Sequence, residues 1–245
     1  MRFHMINLID SIKMCSLEKR GNIFILTLTG DGEHRLNPTL LNSIKSTLRH
    51  VRQQATTSSA LITTANGKFF SNGYDINWAK SMQDMILMDD LLRSIISDLI
   101  SLPMPTIAAV TGHAAAAGYM LALSHDYVLM RSDRGFLYMS ELDIKRVIPA
   151  WFVAVVDAKV GSAAARRKIV MQAEKVTAKE AVRLGIVDSA HDSAEETVKA
   201  AVVLAVDLVK RGWDGHVYAD NRKKFLSNVI HAVEDTSERK IESKL

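Results

Sequence analysis

Apolar positions recur along this chain with two periods. Ile23-Phe-Ile-Leu-Thr-Leu-Thr29 is a β-rich run bounded by Gly21 and Gly30, which predicts a strand. Asn37-Pro38 opens a helical pattern, with Asn37 as the cap and Pro38 at the first helical position. Leu40, Leu41, Ile44, Leu48 and Val51 then share one face. Ala60–Thr64 predicts a second strand, ended by Asn66-Gly67. A longer helix carries Met85, Leu87, Met88, Leu91, Leu92, Ile95, Ile96 and Leu99 and stops before Pro103 and Pro105. Thr106–Val110 and Tyr127–Met130 predict strands, with a small-residue turn and a short helix between them. Helical spacing then dominates near 149–159, 162–172, 177–184, 193–211 and 217–232. Strands alternating with helices imply an α/β fold with parallel pairing, and the later helices read as packing or assembly elements.

Composition narrows this little. The 245 residues are 48% hydrophobic and 24% charged, which fits one large domain or two small ones and excludes a disordered chain, a collagen and a coiled coil. No internal repeat stands out. The single cysteine, Cys15, excludes an intramolecular disulfide framework and a thiolate metal cluster built from this chain alone. The net charge is +4, but Lys and Arg are dispersed, with small clusters at 166–168 and 222–224. Solvated helix faces explain both clusters, and no basic stripe points to nucleic acid. A polyanionic small ligand, such as a nucleotide phosphate, remains compatible with the charge. The longest apolar stretch, Thr106–Ser124, is interrupted by Thr111, Gly112 and His113, so no membrane span is expected. Residues 1–13 contain Asp10 and make a poor signal peptide, and Met14 offers an alternative start. The chain ends in Ser243-Lys244-Leu245, a tripeptide read by the peroxisomal import receptor.

Three segments carry candidate chemistry. Lys68-Phe-Phe-Ser-Asn-Gly-Tyr-Asp-Ile76 lies between a strand and a helix, where Gly73 permits a tight turn with free backbone N–H groups. Thr111-Gly-His-Ala-Ala-Ala-Ala-Gly118 is small enough for a ligand to approach the backbone at a helix N-terminus. Tight helix–sheet packing asks for the same small residues. Phe136–Ile144 sets Glu141 among Met139, Leu142 and Ile144, where a carboxyl would have a raised pKa and act as a general base. A Glu in a loop at a strand edge is the plain alternative.

In register, these segments resemble the crotonase (enoyl-CoA hydratase/isomerase) superfamily, from about Leu17 to Val229. Leu36-Asn37, Phe70–Asp75, Pro105–Gly118, Ser140-Glu141 and Lys179–Asp188 fall in the family's order. Runs such as Ala65–Gly73 and Ala114–Gly118 are most similar to the family's plant peroxisomal Δ3,Δ2-enoyl-CoA isomerases. The resemblance implies a ββα spiral core over 14–190 and a helical C-terminal trimerisation region over 191–245. It implies an acyl-CoA thioester substrate, a homotrimer or hexamer, and no metal or other cofactor. It places an oxyanion hole at the N–H groups of Tyr74 and Ala117 and the catalytic carboxylate at Glu141. Arg35, Leu36, Lys68, Ser71, Asn72, Gly73, Asp75, Gly118, Ser140 and Trp151 become substrate-binding candidates, and the Arg222–Lys224 cluster a candidate for CoA phosphates.

Two departures set the expected reaction. The family's hydratases carry a first glutamate where this chain has Met120. Adding water takes two groups, whereas moving a double bond takes one base, so the pattern resembles the isomerase arrangement. Asp143, two residues beyond Glu141, would face the same way in an extended segment and restore a hydratase or dehydratase pair. Near Lys145 the family usually has a small residue, often glycine. Lys145 and Arg146 would narrow the acyl pocket, lower the Glu141 pKa or face solvent, and they are the main support for a non-catalytic acyl-CoA-binding paralogue.

Overall fold

A computed structural model describes residues 14–235 and 237. The possible extension at 1–13 and the Ser243-Lys244-Leu245 tripeptide lie outside the described residues. The main sheet has six strands: β1 (Cys15–Arg20), β2 (Ile23–Leu28), β3 (Ala60–Ala65), β5 (Thr106–Val110), β7 (Tyr127–Arg131) and β9 (Ser189–His191), in that spatial order. From β2 onward neighbouring strands pair in parallel, with Ile25 beside Ile62 and Ile62 beside Ile107. The first pair differs from the parallel expectation. β1 returns through Gly21 (φ +59°) as an antiparallel hairpin with β2, and its exposed Glu18, Lys19 and Arg20 suit a sheet edge.

Alternation along the strands builds two apolar layers. Phe24, Leu26, Leu28, Leu61, Ala108 and Val110 join the larger core with the apolar faces of α1 (Pro38–Gln54) and α2 (Met82–Ile100). Ile23, Ile25, Ile62, Ile107 and Ala109 face Ala201, Ala205 and Leu208 of α7 (Ala194–Lys210). Strands covered on both faces are buried throughout, which is why β3 and β5 show no inside–outside alternation; the hydroxyl of buried Thr64 donates to the Ala109 carbonyl and that of Thr63 pairs with the His125 ring. The Asn37 side chain caps α1 by accepting from the Leu40 N–H at 3.1 Å, with Pro38 at the first helical position.

A second, three-stranded parallel sheet escapes the sequence pattern. It is formed by β4 (Phe69–Ser71), β6 (His113–Ala115) and β8 (Leu137–Tyr138), with Ser71 beside Ala114 and Ala114 beside Leu137. α3 (Ala117–Leu123) packs on β4 and β6, α4 (Ala150–Lys159) packs on α3, α5 (Ala163–Gln172) on α4, and α6 (Ala178–Arg183) beside β9 of the main sheet. The helix expected over 217–232 is two helices, α8 (Gly215–Phe225) and α9 (Ser227–Glu234), broken at the buried Leu226. Buried Arg222 fixes α8 by donating to the carbonyls of Ile100, Leu102 and Met104, whereas α9 packs on α4 and α2, so the axis must turn between them. Among the described residues, no helix is long and apolar enough to cross a membrane.

Burial in the main core pushes the Cys15 thiol up to about 11. At pH 8 a disulfide-exchange reagent should therefore label native protein far more slowly than denatured protein, and equal rates would show that Cys15 is not held in the core.

Candidate active site

Each of the three chemistry-bearing segments contributes one strand to the small sheet. Parallel strands end on the same side, so the chain following each one emerges at a common edge. Tyr74 follows β4, Ala117 follows β6 and Glu141 follows β8.

After β4 the chain turns at Gly73, whose φ of +76° favours glycine. The turn is pinned to the segment before α1. The Leu36 N–H donates to the Gly73 carbonyl at 2.8 Å, and the Leu36 carbonyl accepts from the Asp75 N–H at 3.4 Å. In such a parallel bridge the middle residue, Tyr74, keeps its own N–H for the opposite side. That side faces the second turn. A Cβ on Gly73 would meet the Ala115 carbonyl at 3.1 Å and the Ala117 nitrogen at 3.6 Å.

The second turn places Ala116 at φ 47° and ψ −122°, a backbone conformation that favours glycine and costs on the order of 1–3 kcal/mol for any other residue. The Ala116 N–H donates to the Tyr138 carbonyl at 2.7 Å, which ties the turn to β8. Ala117 is the first residue of α3, so its N–H has no acceptor within the helix. Gly118 allows the close approach, since a Cβ there would lie 2.5 Å from the Ser71 carbonyl. Two backbone donors, from Tyr74 and Ala117, thus lie on adjoining turns without an acceptor in their own elements.

Glu141 is the candidate acid–base group. It is 7% exposed, and its Oε2 has no hydrogen-bond partner among the described residues. Burial raises its pKa above the usual carboxylate range. Its negative charge adds, as the smallest of the causes, to the raised pKa of the Tyr74 and Tyr138 hydroxyls.

The extended alternation expected for Asp143 is not present. Residues 141–145 form turns, with the Ile144 N–H donating to the Ser140 carbonyl and the Arg146 N–H to the Glu141 carbonyl. Asp143 is exposed and accepts from the Tyr138 hydroxyl instead of joining Glu141. Met120, at the other carboxylate position, is fully buried. Lys145 and Arg146 face solvent, and neither contributes to the Glu141 shift. Lys145 adopts φ 58°, which explains why a glycine suits this position.

The remaining candidates divide by burial. Leu36 and Ser71 are fully buried, and the Ser71 hydroxyl donates to the His34 carbonyl at 2.8 Å. Asn72 donates to Glu33 at 3.3 Å, and Arg35 pairs with the same carboxylate at 2.6 Å. Asp75 accepts from the Trp78 N–H and the Asn37 side chain. Lys68 is exposed, and Ser140 is half-buried. Trp151 is fully buried in the first turn of α4 and donates to Asp89 at 2.9 Å. The expected phosphate role of Arg222 is a misreading: its guanidinium is buried against helix-end carbonyls and paired with Asp126 at 2.6 Å. Lys223 pairs with Asp220 at 2.7 Å, leaving Lys224 from that cluster.

Sequence reasoning missed Asp89. The available signal was the i, i+4 spacing of Asp89 and Arg93 beside the buried positions Met88 and Leu92 of α2. A cleft of about 560 Å³ lies elsewhere, lined by Asp126, Trp213, Tyr218 and Phe225 among others. It contains none of Tyr74, Ala117 and Glu141. The candidate site is thus defined by the Tyr74 and Ala117 turns and the Glu141 carboxyl, not by that cleft.

Residues 18–243 match the profile described as enoyl-CoA hydratase/isomerase. The chain is 62% identical over 223 residues to "Enoyl-CoA delta isomerase 1, peroxisomal" of Arabidopsis thaliana, covering 90% of this chain and 93% of that protein. It is 53% identical to "Enoyl-CoA delta isomerase 2, peroxisomal" of the same organism, covering 86% and 91%. A solved enoyl-CoA hydratase/isomerase family protein from Pseudomonas syringae superposes with a TM-score of 0.83 at 21% identity, covering 91% of this chain and 96% of that one.

The raised Glu141 pKa has a consequence for stability. The folded state holds its proton more tightly than the unfolded chain, whose carboxyl titrates near 4.5. The favourable contribution is therefore complete below that value and is lost as pH rises through the folded pKa. Glu141→Gln should melt higher than wild type at pH 8, and its advantage should shrink on acidification. A pH-independent difference in Tm would contradict the buried, shifted carboxyl.

Proposed function

The chain belongs to the enoyl-CoA hydratase/isomerase family, and from that premise we propose that it is a peroxisomal enoyl-CoA delta isomerase. It moves the double bond of a 3-enoyl-CoA to the 2-trans position, a step in the degradation of unsaturated acyl chains. The observation that carries this reading is the buried Glu141 carboxyl, following the same small sheet as the Tyr74 and Ala117 turns.

The Tyr74 and Ala117 N–H groups hold the thioester oxygen. Glu141 takes a proton from C2, the C2–H electron pair joins the C3=C4 system, and negative charge collects on the oxygen as a dienolate. Each donor aimed at that oxygen is worth roughly 3 kcal/mol in the transition state. Glu141 returns the proton to C4, leaving the double bond between C2 and C3. No electrons leave the substrate, so the step calls for no redox cofactor. A carboxyl whose pKa is raised towards neutrality is a stronger base when ionised and still a competent acid when protonated.

Hydration would need a second carboxylate to handle water. Met120 and the outward turn at Asp143 argue against it. Solvent-facing Lys145 and Arg146 remove the main support for a non-catalytic acyl-CoA binder. Exposed Lys68 and part-exposed Arg35 are the cations we assign to the CoA nucleotide. The proposal extends to a homotrimer or hexamer, for which exposed Val217 and Phe225 on α8 offer apolar surface. The names of the Arabidopsis relatives support peroxisomal residence, and Ser243-Lys244-Leu245 is the segment we assign to the import receptor.

Purified protein should isomerise 3-enoyl-CoA and hydrate 2-enoyl-CoA poorly. Glu141→Gln should lose roughly 10²–10⁴-fold in kcat. Isomerisation unchanged in Glu141→Gln would refute the single-carboxylate shuttle. Separately, a fluorescent fusion lacking Ser243–Leu245 should remain in the cytosol, and continued peroxisomal import would overturn the assignment of that tripeptide.

A further inference from the structure

Beneath the Tyr74 turn lies a buried polar network that the proton shuttle does not use. Asp89 projects from α2 with its side chain 19% exposed. Its Oδ1 accepts from the Tyr74 hydroxyl and from the Trp151 Nε1–H, each at 2.9 Å. Its Oδ2 accepts from the Arg93 Nε–H at 2.5 Å. Arg93 is 5% exposed and also donates to the carbonyls of Ala232, Val233 and Asp235 at the end of α9, at 2.9, 3.2 and 3.0 Å. One carboxylate therefore joins the residue that bears an oxyanion donor, the helix into which the Glu141 loop runs, and the C-terminal helix.

A buried ion pair contributes little net stability compared with apolar residues of the same shape. What it does supply is geometry, because each of its oxygens has a directed partner. The Tyr74 backbone follows a glycine at positive φ, where the chain is least restrained by its own sterics. Anchoring the far end of the Tyr74 side chain limits how the adjacent peptide can rotate. Anchoring Trp151 to the same carboxylate fixes the start of α4 relative to that peptide. Arg93 balances the Asp89 charge, so the carboxylate does not repel the anion forming on the other side of Tyr74.

Resting on the isomerase reading, we propose that Asp89 is a positioning residue: it holds the Tyr74 oxyanion donor and the Glu141 loop at their working separation. It touches no substrate and acts through Tyr74 and Trp151. Misplacing a donor by a fraction of an ångström weakens transition-state binding more than substrate binding, so kcat should fall while KM changes little.

The test uses Tyr74→Phe, Trp151→Phe, Asp89→Asn and the Tyr74→Phe/Asp89→Asn double variant of the full chain. Tyr74→Phe keeps the backbone N–H and removes only the tether, so it remains informative if Asp89→Asn folds poorly. Three quantities are measured: kcat and KM on 3-enoyl-CoA, the near-ultraviolet absorbance of a bound 3-ketoacyl-CoA enolate, and Tm. Tyr74→Phe should lose roughly tenfold in kcat with KM within about twofold. Bound enolate should fall in parallel, and the double variant should lose less than the product of the two single losses, because both act on the same tether. Variants with a lower Tm but unchanged kcat and enolate signal per folded molecule would overturn the proposal, leaving Asp89 a purely structural residue. Failure of the isomerase reading would look different: the wild type itself would neither isomerise 3-enoyl-CoA nor stabilise the enolate.

Discussion

The site depends on the parallel pairing of three very short strands. β4, β6 and β8 contribute only Phe69–Ser71, His113–Ala115 and Leu137–Tyr138, yet their ladder lays three distant segments side by side. Because all three run the same way, the peptide leaving each strand reaches the same edge. The arrangement tolerates little bulk. Ser71 and Gly118 are in backbone contact, and the Ala116 N–H reaches across to the Tyr138 carbonyl. The strain at Ala116 is held by that bond and by the helix that begins immediately after it.

The same packing sets the electrostatics. Burying Glu141 with an oxygen unpartnered destabilises its ionised form, which makes the carboxylate a better base. Excluding water also strengthens the attraction between a developing oxyanion and two fixed N–H dipoles. The chain thus gives up some folding stability at Glu141 and Ala116 for a site organised before substrate arrives. Asp89 and Arg93 belong to this scheme, since they fix the Tyr74 turn from below without placing net charge next to the reacting oxygen.

Much of the fold was legible because the physics was local or strongly periodic. Continuous apolar runs marked β2, β3 and β5, which are covered on both faces, and Asn37-Pro38 marked the start of α1. The small sheet was not legible: strands of two or three residues have no period, and their existence depends on a ladder between distant segments. The helix break at Leu226 was hidden because both α8 and α9 are periodic and only their separate anchors demand a bend. Glu141 could be read as a carboxyl in an apolar setting, and the structure buries it. Asp143 was misjudged by assuming an extended chain, whereas turns send it to Tyr138. Asp89 went unseen because an i, i+4 acidic–basic pair looks the same in sequence on a solvated face as in a buried network.

The central claim is that one buried carboxyl carries the proton from C2 to C4. It is tested most directly with a 3-enoyl-CoA deuterated at C2 and turned over in ordinary water. A sequestered single-residue shuttle predicts that a measurable share of the 2-enoyl-CoA product carries deuterium at C4, and that this share falls as the pocket is opened to solvent. Product whose C4 hydrogen comes entirely from water, at all extents of conversion, would contradict a direct C2-to-C4 transfer by Glu141.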